Sequence, residues 1–366
     1  MITSSRALSA KNLNAYYERL AFDLNDGDGG RFLSGWQCDN PYASSLLAAV
    51  RHQSENVDYR QYRYFDEDEK LSTRILDLHL SLDGTRPQRV LCGSGSTSLL
   101  YAFATYVKRL GISTVHYIPP IYFTLATAFN TYGIRSVAVS RTQPFQKAFS
   151  LALPKRRRCV LLLTDPIWYT GTRYCKEAIE DIARWQKQTS SLVFVDGSLQ
   201  YLPWDGIRRE LTSALDPEHT FRLVCPCKQL SIHGYRFSYL LLPSAHERGM
   251  AWTYANVAGP APADSIAFAR EAITACADGQ LSAHLVRDVV SRHKWLRERR
   301  LIESVISPDC GYFVFERVTH ALPPGYSVMD ARYFGLRGYA GYMKINLLSP
   351  SITLLCTEAH ADGLRK

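Results

Sequence analysis

The chain has 366 residues, of which 46% are hydrophobic, 21% charged and 12% aromatic, with a formal net charge of +9. That length predicts a large domain and a smaller one, each with its own core, and the aromatic content excludes a disordered chain. The basic balance does not imply a nucleic-acid partner, because no zinc-finger spacing, RNP motif or basic amphipathic helix accompanies it, and no run of about 18 apolar residues predicts a membrane span.

Met1 to Asn12 lacks the apolar core of a signal peptide. Of the nine cysteines, only Cys225 and Cys227 form a close pair, so no metal site is expected and a reducing, cytoplasmic setting is the simplest account. Residues 1–45 are polar, with turn signals at Asn25-Asp26-Gly27-Asp28-Gly29-Gly30 and Asp39-Asn40-Pro41-Tyr42, and are expected to join the smaller domain. From about residue 70 strands and helices alternate. Val90 to Cys92 reads as a strand, Gly93 to Ser98 as a small-residue loop and Leu99 to Leu110 as a helix. Thr114 to Ile118 reads as a strand and Phe123 to Tyr132 as a helix. The basic run Lys155 to Arg158 reads as a solvated turn ahead of the strand Val160 to Leu163. Helix Lys176 to Gln188 and strand Leu192 to Val195 follow, then strands at Phe221 to Cys225 and Tyr235 to Leu242. This alternation predicts an α/β fold, a mostly parallel sheet covered by helices, over residues 46–245. Beyond Pro243 the texture changes. Asp264 to Val305 reads as long charged helix interrupted at Gly279, and strand signals return at Gly311 to Arg317 and Tyr342 to Leu348. Residues 246–366 are therefore expected to form a smaller α+β domain.

Five sites on this frame carry chemical meaning through their order. Gly93-Ser94-Gly95-Ser96-Thr97-Ser98 lies between a strand and a helix, where backbone N–H groups can meet a phosphate; alone it is only a capping loop. Pro120-Ile121-Tyr122 puts an aromatic just past a strand, able to stack on a flat ring or simply to pack. Asp165-Pro166-Ile167-Trp168-Tyr169-Thr170-Gly171 sits at a strand's carboxyl end, the side where open α/β sheets bind ligands. Asp196 ends an apolar strand, as a helix cap or as a carboxylate that keeps a pyridine nitrogen protonated. Cys225-Pro226-Cys227-Lys228 is followed by Gly234-Tyr235-Arg236; a lysine in a closed pocket forms Schiff bases, and an arginine grips phosphate, although a lone lysine is usually a surface charge.

In this order and spacing the five sites resemble the class I/II aminotransferases, the fold-type I pyridoxal-phosphate enzymes. That family places a glycine-x-arginine after its lysine with the arginine eight positions on, as Lys228 and Arg236 stand here. Its Asn-Pro-x-x-Pro-x-Gly and strand-ending aspartate correspond to Asp165 to Gly171 and Asp196, and Asp39-Asn40-Pro41-Tyr42 resembles its Asn-Glu-Asn-Pro-Tyr segment. The resemblance runs over about residues 35 to 350. It implies a seven-stranded sheet, pyridoxal 5'-phosphate as cofactor, and Lys228 as the Schiff-base residue. It further implies that Asp196 pairs with the pyridine nitrogen, that Tyr122 stacks on the ring, and that Gly95, Ser96, Thr97, Cys225 and Arg236 hold the phosphate. The partners it implies are an amino acid or related amine as substrate, with Asn40 and Lys344 at the substrate, and a second copy of the chain. In such a homodimer Tyr62 reaches the neighbour's phosphate site, with Tyr59 and Tyr64 as rivals.

Several positions depart from the family. The asparagine that bonds the cofactor's phenolic oxygen falls on Trp168, and the tyrosine that assists it falls on Leu199, leaving the Trp168 indole or a shifted Tyr201 as donors. The phosphate-binding serine three residues before the lysine is Cys225. The carboxylate-clamping arginine falls on Lys344, which keeps the charge but not the bidentate fork, with Arg337 nearby. An aminotransferase is the leading expectation. A lyase, cyclase, decarboxylase or substitution enzyme using the same cofactor is the alternative, and a non-catalytic binding protein on the same fold is the reading from another class.

Overall fold

Strands that are apolar throughout need cover on both faces, and the chain supplies it by placing a helix between successive strands. A computed structural model describes residues 31–363 except 56, 147–148, 208–209, 320–321 and 332–338. The glycine-rich turn at 25–30 and Arg337 lie outside the described residues. In chain order the elements are β1 (Arg31–Phe32), α1 (Ser44–Ser54), α2 (Glu69–Asp83), β2 (Arg89–Gly93), α3 (Ser96–Arg109), β3 (Thr114–Tyr117), α4 (Phe123–Thr131), β4 (Arg135–Ala138), β5 (Val160–Thr164), α5 (Lys176–Thr189), β6 (Leu192–Asp196), α6 (Glu210–Ala214), β7 (Thr220–Val224), α7 (Pro226–Gln229) and β8 (Ser238–Leu242). There follow α8 (Glu247–Ala258), α9 (Ala263–Asp278), α10 (Gln280–Glu298), β9 (Ile302–Glu303), β10 (Phe313–Val318), β11 (Tyr326–Ser327), β12 (Met329–Asp330), β13 (Tyr342–Asn346) and α11 (Pro350–Gly363).

The large sheet has seven strands in the order β2-β8-β7-β6-β5-β3-β4. Its pairs from β7 through β4 are parallel, and β8 runs antiparallel to both β2 and β7. Every residue of β5 and β6 is buried. Helix α3 shows why: its apolar residues recur at helical spacing, and Leu99, Phe103 and Val107 are fully buried. Phe103 meets Phe194 of β6 at 4.4 Å and Phe221 of β7 at 5.0 Å between ring centroids. At the edge, β4 pairs with β3 through Arg135-Ser136-Val137-Ala138, a stretch too short and too mixed to read as a strand.

The core of this sheet extends beyond residue 245, where the change of texture placed the boundary. Met250, Ile266, Phe268 and Ile273 belong to it, because α8 packs on α3 and α9 packs on α1 and α2. Gly279, with a φ of +73°, ends α9, and α10 starts as a separate helix. Helix α10 and the smaller sheet, ordered β12-β13-β10-β9, share a second core around Leu285, Val289, Val314 and Ile345. Residues 31–33 join this part, with β1 parallel to β11 and Leu33 in its core. No helix among the described residues is long and apolar enough to cross a membrane.

Candidate active site

The carboxyl ends of β3, β5, β6 and β7 all face one cavity of about 450 Å³, lined among others by Tyr122, Trp168, Asp196, Ser198, Lys228 and Phe313. Four residues singled out in the sequence (Tyr122, Trp168, Asp196 and Lys228) thus share one wall.

Lys228 stands on α7, a single turn that starts directly after β7. Pro226 occupies its first position, where a missing N–H costs nothing. The Lys228 Nζ lies 5.0 Å from the centroid of the Tyr122 ring. Burial works against its charge, yet the acidic groups around it, the Asp196 carboxylate among them, outweigh burial, and its pKa lies above the usual lysine value.

Asp196 is buried at the end of β6. Ser198 donates to its Oδ1 twice, from the backbone N–H at 3.1 Å and from Oγ at 2.5 Å. Oδ2 takes no hydrogen bond from the described residues. The Ser198 Oγ also lies 3.1 Å from the Cys225 Sγ. Burial pushes the Cys225 thiol up to about 11, so it keeps its proton. Because the Ser198 hydrogen is given to Asp196, the thiol must be the donor, and the chain runs Cys225 to Ser198 to Asp196. Cys225 was expected to face a phosphate; its one hydrogen is committed to Ser198 instead.

The glycine loop meets Arg236. Gly95 has φ +86°, and a Cβ there would sit 2.6 Å from the Arg236 Nη2, so only glycine lets the guanidinium approach. Ser96 and Thr97 open α3 beside it. Among the described residues, the buried Ser94 Oγ and His233 Nε2 on these segments have no hydrogen-bond partner. Burial first, then the charges of Lys228 and Arg236, lower the His233 pKa to about 4, which keeps the ring neutral. Sequence reasoning did not single out His233. It also missed Ser198, Trp36 and Phe313, for which only proximity in space gives a signal.

The remaining expected residues stand elsewhere. Lys344 is fully buried and is not part of the cavity wall. Its Nζ donates to the Ser34 carbonyl at 3.0 Å and lies 3.9 Å from the Trp36 ring and 4.1 Å from the Phe313 ring. Burial, reinforced by Lys228 and partly offset by Cys38, lowers its pKa to about 7. Asn40 donates to the Leu230 carbonyl at 2.5 Å and accepts from the Tyr42 N–H at 3.0 Å, tying the segment before α1 to the turn after Lys228. Leu199 lines the cavity with an apolar face where the family keeps a hydroxyl. Tyr201 does not replace it: its hydroxyl donates to Asp83 and meets His79, in a buried network with Arg222 of β7 and Tyr239 of β8. Tyr62 is 81% exposed and away from this cavity, whereas the Tyr59 hydroxyl is engaged by Asp264 at 2.6 Å.

The Asp165–Gly171 turn is held by packing. Gly171, at φ +67°, would place a Cβ 2.7 Å from the Cys310 carbonyl and 2.9 Å from that of Phe313, and its own carbonyl accepts from the Asp309 and Cys310 N–H groups. The turn therefore docks the segment leading into β10 against the strand ends, and Trp168 is presented to the cavity.

Comparison with known proteins agrees with this arrangement. Residues 37–321 match the family described as aminotransferase class I and II. Over 147 residues the chain is 29% identical to the histidinol-phosphate aminotransferase of Roseiflexus castenholzii; the alignment covers 39% of this chain and 38% of that relative, so the chain spans about two fifths of the length of the curated relative it matches. Among solved structures, the N-succinyldiaminopimelate aminotransferase of Mycobacterium tuberculosis superposes with a TM-score of 0.77 at 18% identity over 98% of each chain. The aspartate aminotransferase of Thermotoga maritima does so with a TM-score of 0.78 at 12% identity, over 99% of this chain and all of that one. The structural likeness establishes the fold, and the family match over most of the chain establishes the kinship. The chain belongs to the aminotransferase class I and II family.

Proposed function

We propose that the chain is a pyridoxal-phosphate-dependent aminotransferase acting on an amino acid or a related amine, with Lys228 carrying the cofactor. The observation that carries this reading is the single cavity that collects Lys228, Asp196 and Tyr122 at neighbouring strand ends. When bound, pyridoxal phosphate supplies an aldehyde that condenses with amines and a protonated pyridine ring that draws electrons from the adjoining carbon. The residues present fit it. Asp196 has one oxygen saturated by Ser198 and keeps the other for the pyridine N–H. Gly95, the first N–H groups of α3 and Arg236 make an anion cradle. The unpartnered Ser94 Oγ and His233 Nε2 lie on the two segments that form it.

The chain's own groups divide the work. Tyr122 and Trp168 both line the cavity and meet edge to face at 5.8 Å between ring centroids, a contact that holds the Tyr122 ring as a face for a flat ligand. Phe313 and Leu199 exclude water, which strengthens every charge interaction inside. The Lys228 Nζ would be the base that takes a proton from the substrate carbon and returns it. The working unit we infer is a homodimer in which the exposed Tyr62 completes the partner's phosphate cradle. The nine free cysteines are in keeping with a reducing cytoplasm.

Borohydride treatment of the loaded protein should fix the cofactor to the peptide bearing Lys228, and Lys228→Ala should lose both that adduct and turnover, the latter by roughly 10²-fold or more. An amino donor should convert the bound cofactor to its amine form, and a keto acid should restore it. Turnover without that conversion would exclude transamination, and a colourless, unreactive protein would exclude the cofactor.

A further inference from the structure

On the opposite edge of the large sheet, the amino ends of β3, β5 and β6 and the loops that feed them line a cavity of about 1690 Å³. Three arginines and three histidines line it: Arg135, Arg156, Arg158, His116, His219 and His246. They come from five places in the chain. Arg135 opens β4, Arg156 and Arg158 belong to the basic run ahead of β5, His116 lies in β3, and His219 and His246 flank β7 and β8. None of the described lining residues is acidic. Among the described residues Arg135, Arg156 and Arg158 make no ion pair, while His219 is paired with Asp216 at 2.9 Å and His246 meets the Tyr106 hydroxyl at 2.7 Å.

The basic run alone is a solvated turn. Its meeting with Arg135 of β4 in one concavity is what needs a reason, because like charges repel. His116 shows the effect: burial first, and then Arg135, lower its pKa. Two of the five non-glycine residues with positive φ among the described residues lie at the same place. Arg158 and Ser190 both line the cavity with positive φ, +55° and +49°, and the Arg158 N–H donates to the Thr189 carbonyl at 3.0 Å. Non-glycine residues in that conformation are uncommon and persist where their surroundings hold them.

We propose that this cavity binds a small organic polyphosphate, a molecule with at least two phosphate groups and an apolar or flat remainder, at a site separate from the active site. Guanidinium forks from two loops match several phosphate oxygens at once. Leu110 and Ile112 give the rest of the ligand an apolar wall. The shape is a pocket and not a stripe along which a nucleic-acid backbone would run. The five residues of β5 set the two sites about 16 Å apart, so the ligand does not reach Lys228.

The test is calorimetric titration of ADP and of pyrophosphate into the enzyme saturated with pyridoxal phosphate, at 0.15 M salt as ordinary ionic strength, with the cofactor's absorbance followed throughout. The expected result is saturable binding of ADP, about one per chain, with the cofactor spectrum unchanged and affinity for ADP at least about tenfold weaker (about 1.4 kcal/mol) in the double variant Arg156→Glu/Arg158→Glu. Arg135→Ala serves as a milder variant should the double variant fail to fold, and it should also weaken ADP. Binding that releases the cofactor, binding that survives both variants, absence of saturable binding, or displacement of ADP by a short oligonucleotide that binds more tightly would each overturn the proposal. All these outcomes leave the reading of Lys228 untouched.

Discussion

Asp196 accepts both Ser198 hydrogen bonds on one oxygen, which leaves the other for a ring nitrogen. Asp196→Asn keeps the shape and removes the charge that holds that nitrogen protonated. We expect it to retain cofactor and to lose roughly 10²-fold or more in kcat/KM, read from steady-state rates beside the cofactor's absorbance; an unchanged rate would show that the carboxylate is structural. Asp196 and Lys228 were legible in the sequence because they follow recognisable strands at family spacing. The relay from Cys225 through Ser198 was not, since it depends on which way a thiol hydrogen points. Lys344 was legible as a cation but not as a buried one, because its surroundings come from Ser34 and Trp36, about 310 residues away along the chain. Its lowered pKa has a consequence for stability. The folded value of about 7 lies below the usual 10.5, so between those pH values the unfolded chain binds more protons. Stability from this residue therefore rises as pH goes from 7 to 10.5 and is lowest below 7. Lys344→Met should be more stable than wild type at pH 6, by a few kcal/mol, with the gap shrinking towards pH 10 in urea unfolding. A gap that widens with pH would refute the buried cation.

The turn from Asp165 to Gly171 is the element on which the cavity's apolar wall rests. Gly171 has both a left-handed backbone and carbonyl oxygens in the space a side chain would need. Gly171→Ala should cost about 2–5 kcal/mol, combining roughly 1–2 for the backbone with 1–3 for overpacking. Gly111, at φ +75° with nothing within 4 Å, pays only the first part when changed to alanine. Urea midpoints of the two variants separate these terms; equal losses would mean that the contact with Cys310 and Phe313 yields freely. The elements that were easiest to read, α3 and α5 among them, combine length with a clear helical period. β4 escaped because four mixed residues at a sheet edge carry no alternation, and its strand state comes from pairing with β3. The extent of the large core escaped because α8 and α9 resemble the charged helix that follows, and only their packing on α3 and α2 assigns them.

The whole molecule presents the cavity at one edge of the sheet and leaves the segment bearing Tyr62 outside it, with the ring 81% exposed. That exposure leaves the Tyr62 ring free to reach a neighbouring chain in the proposed homodimer. If each active site of the proposed homodimer takes Lys228 from one chain and Tyr62 from the other, two individually weak variants must complement each other. In a hybrid of a Lys228→Ala chain with a Tyr62→Ala chain, one site carries both defects. The other site combines an intact Lys228 with an intact Tyr62 and should work at the wild-type rate. Mixing the two after unfolding and refolding should therefore yield more activity than either parent, approaching about one quarter of wild type when hybrids make up half of the dimers and each has one good site of two. The quarter follows from random pairing of equal amounts. Tyr59→Ala in place of Tyr62→Ala should not complement, because its hydroxyl is already bound to Asp264 within its own chain. Activity equal to the average of the parents would place Tyr62 outside the shared site, and a monomer by sedimentation would remove the partner altogether.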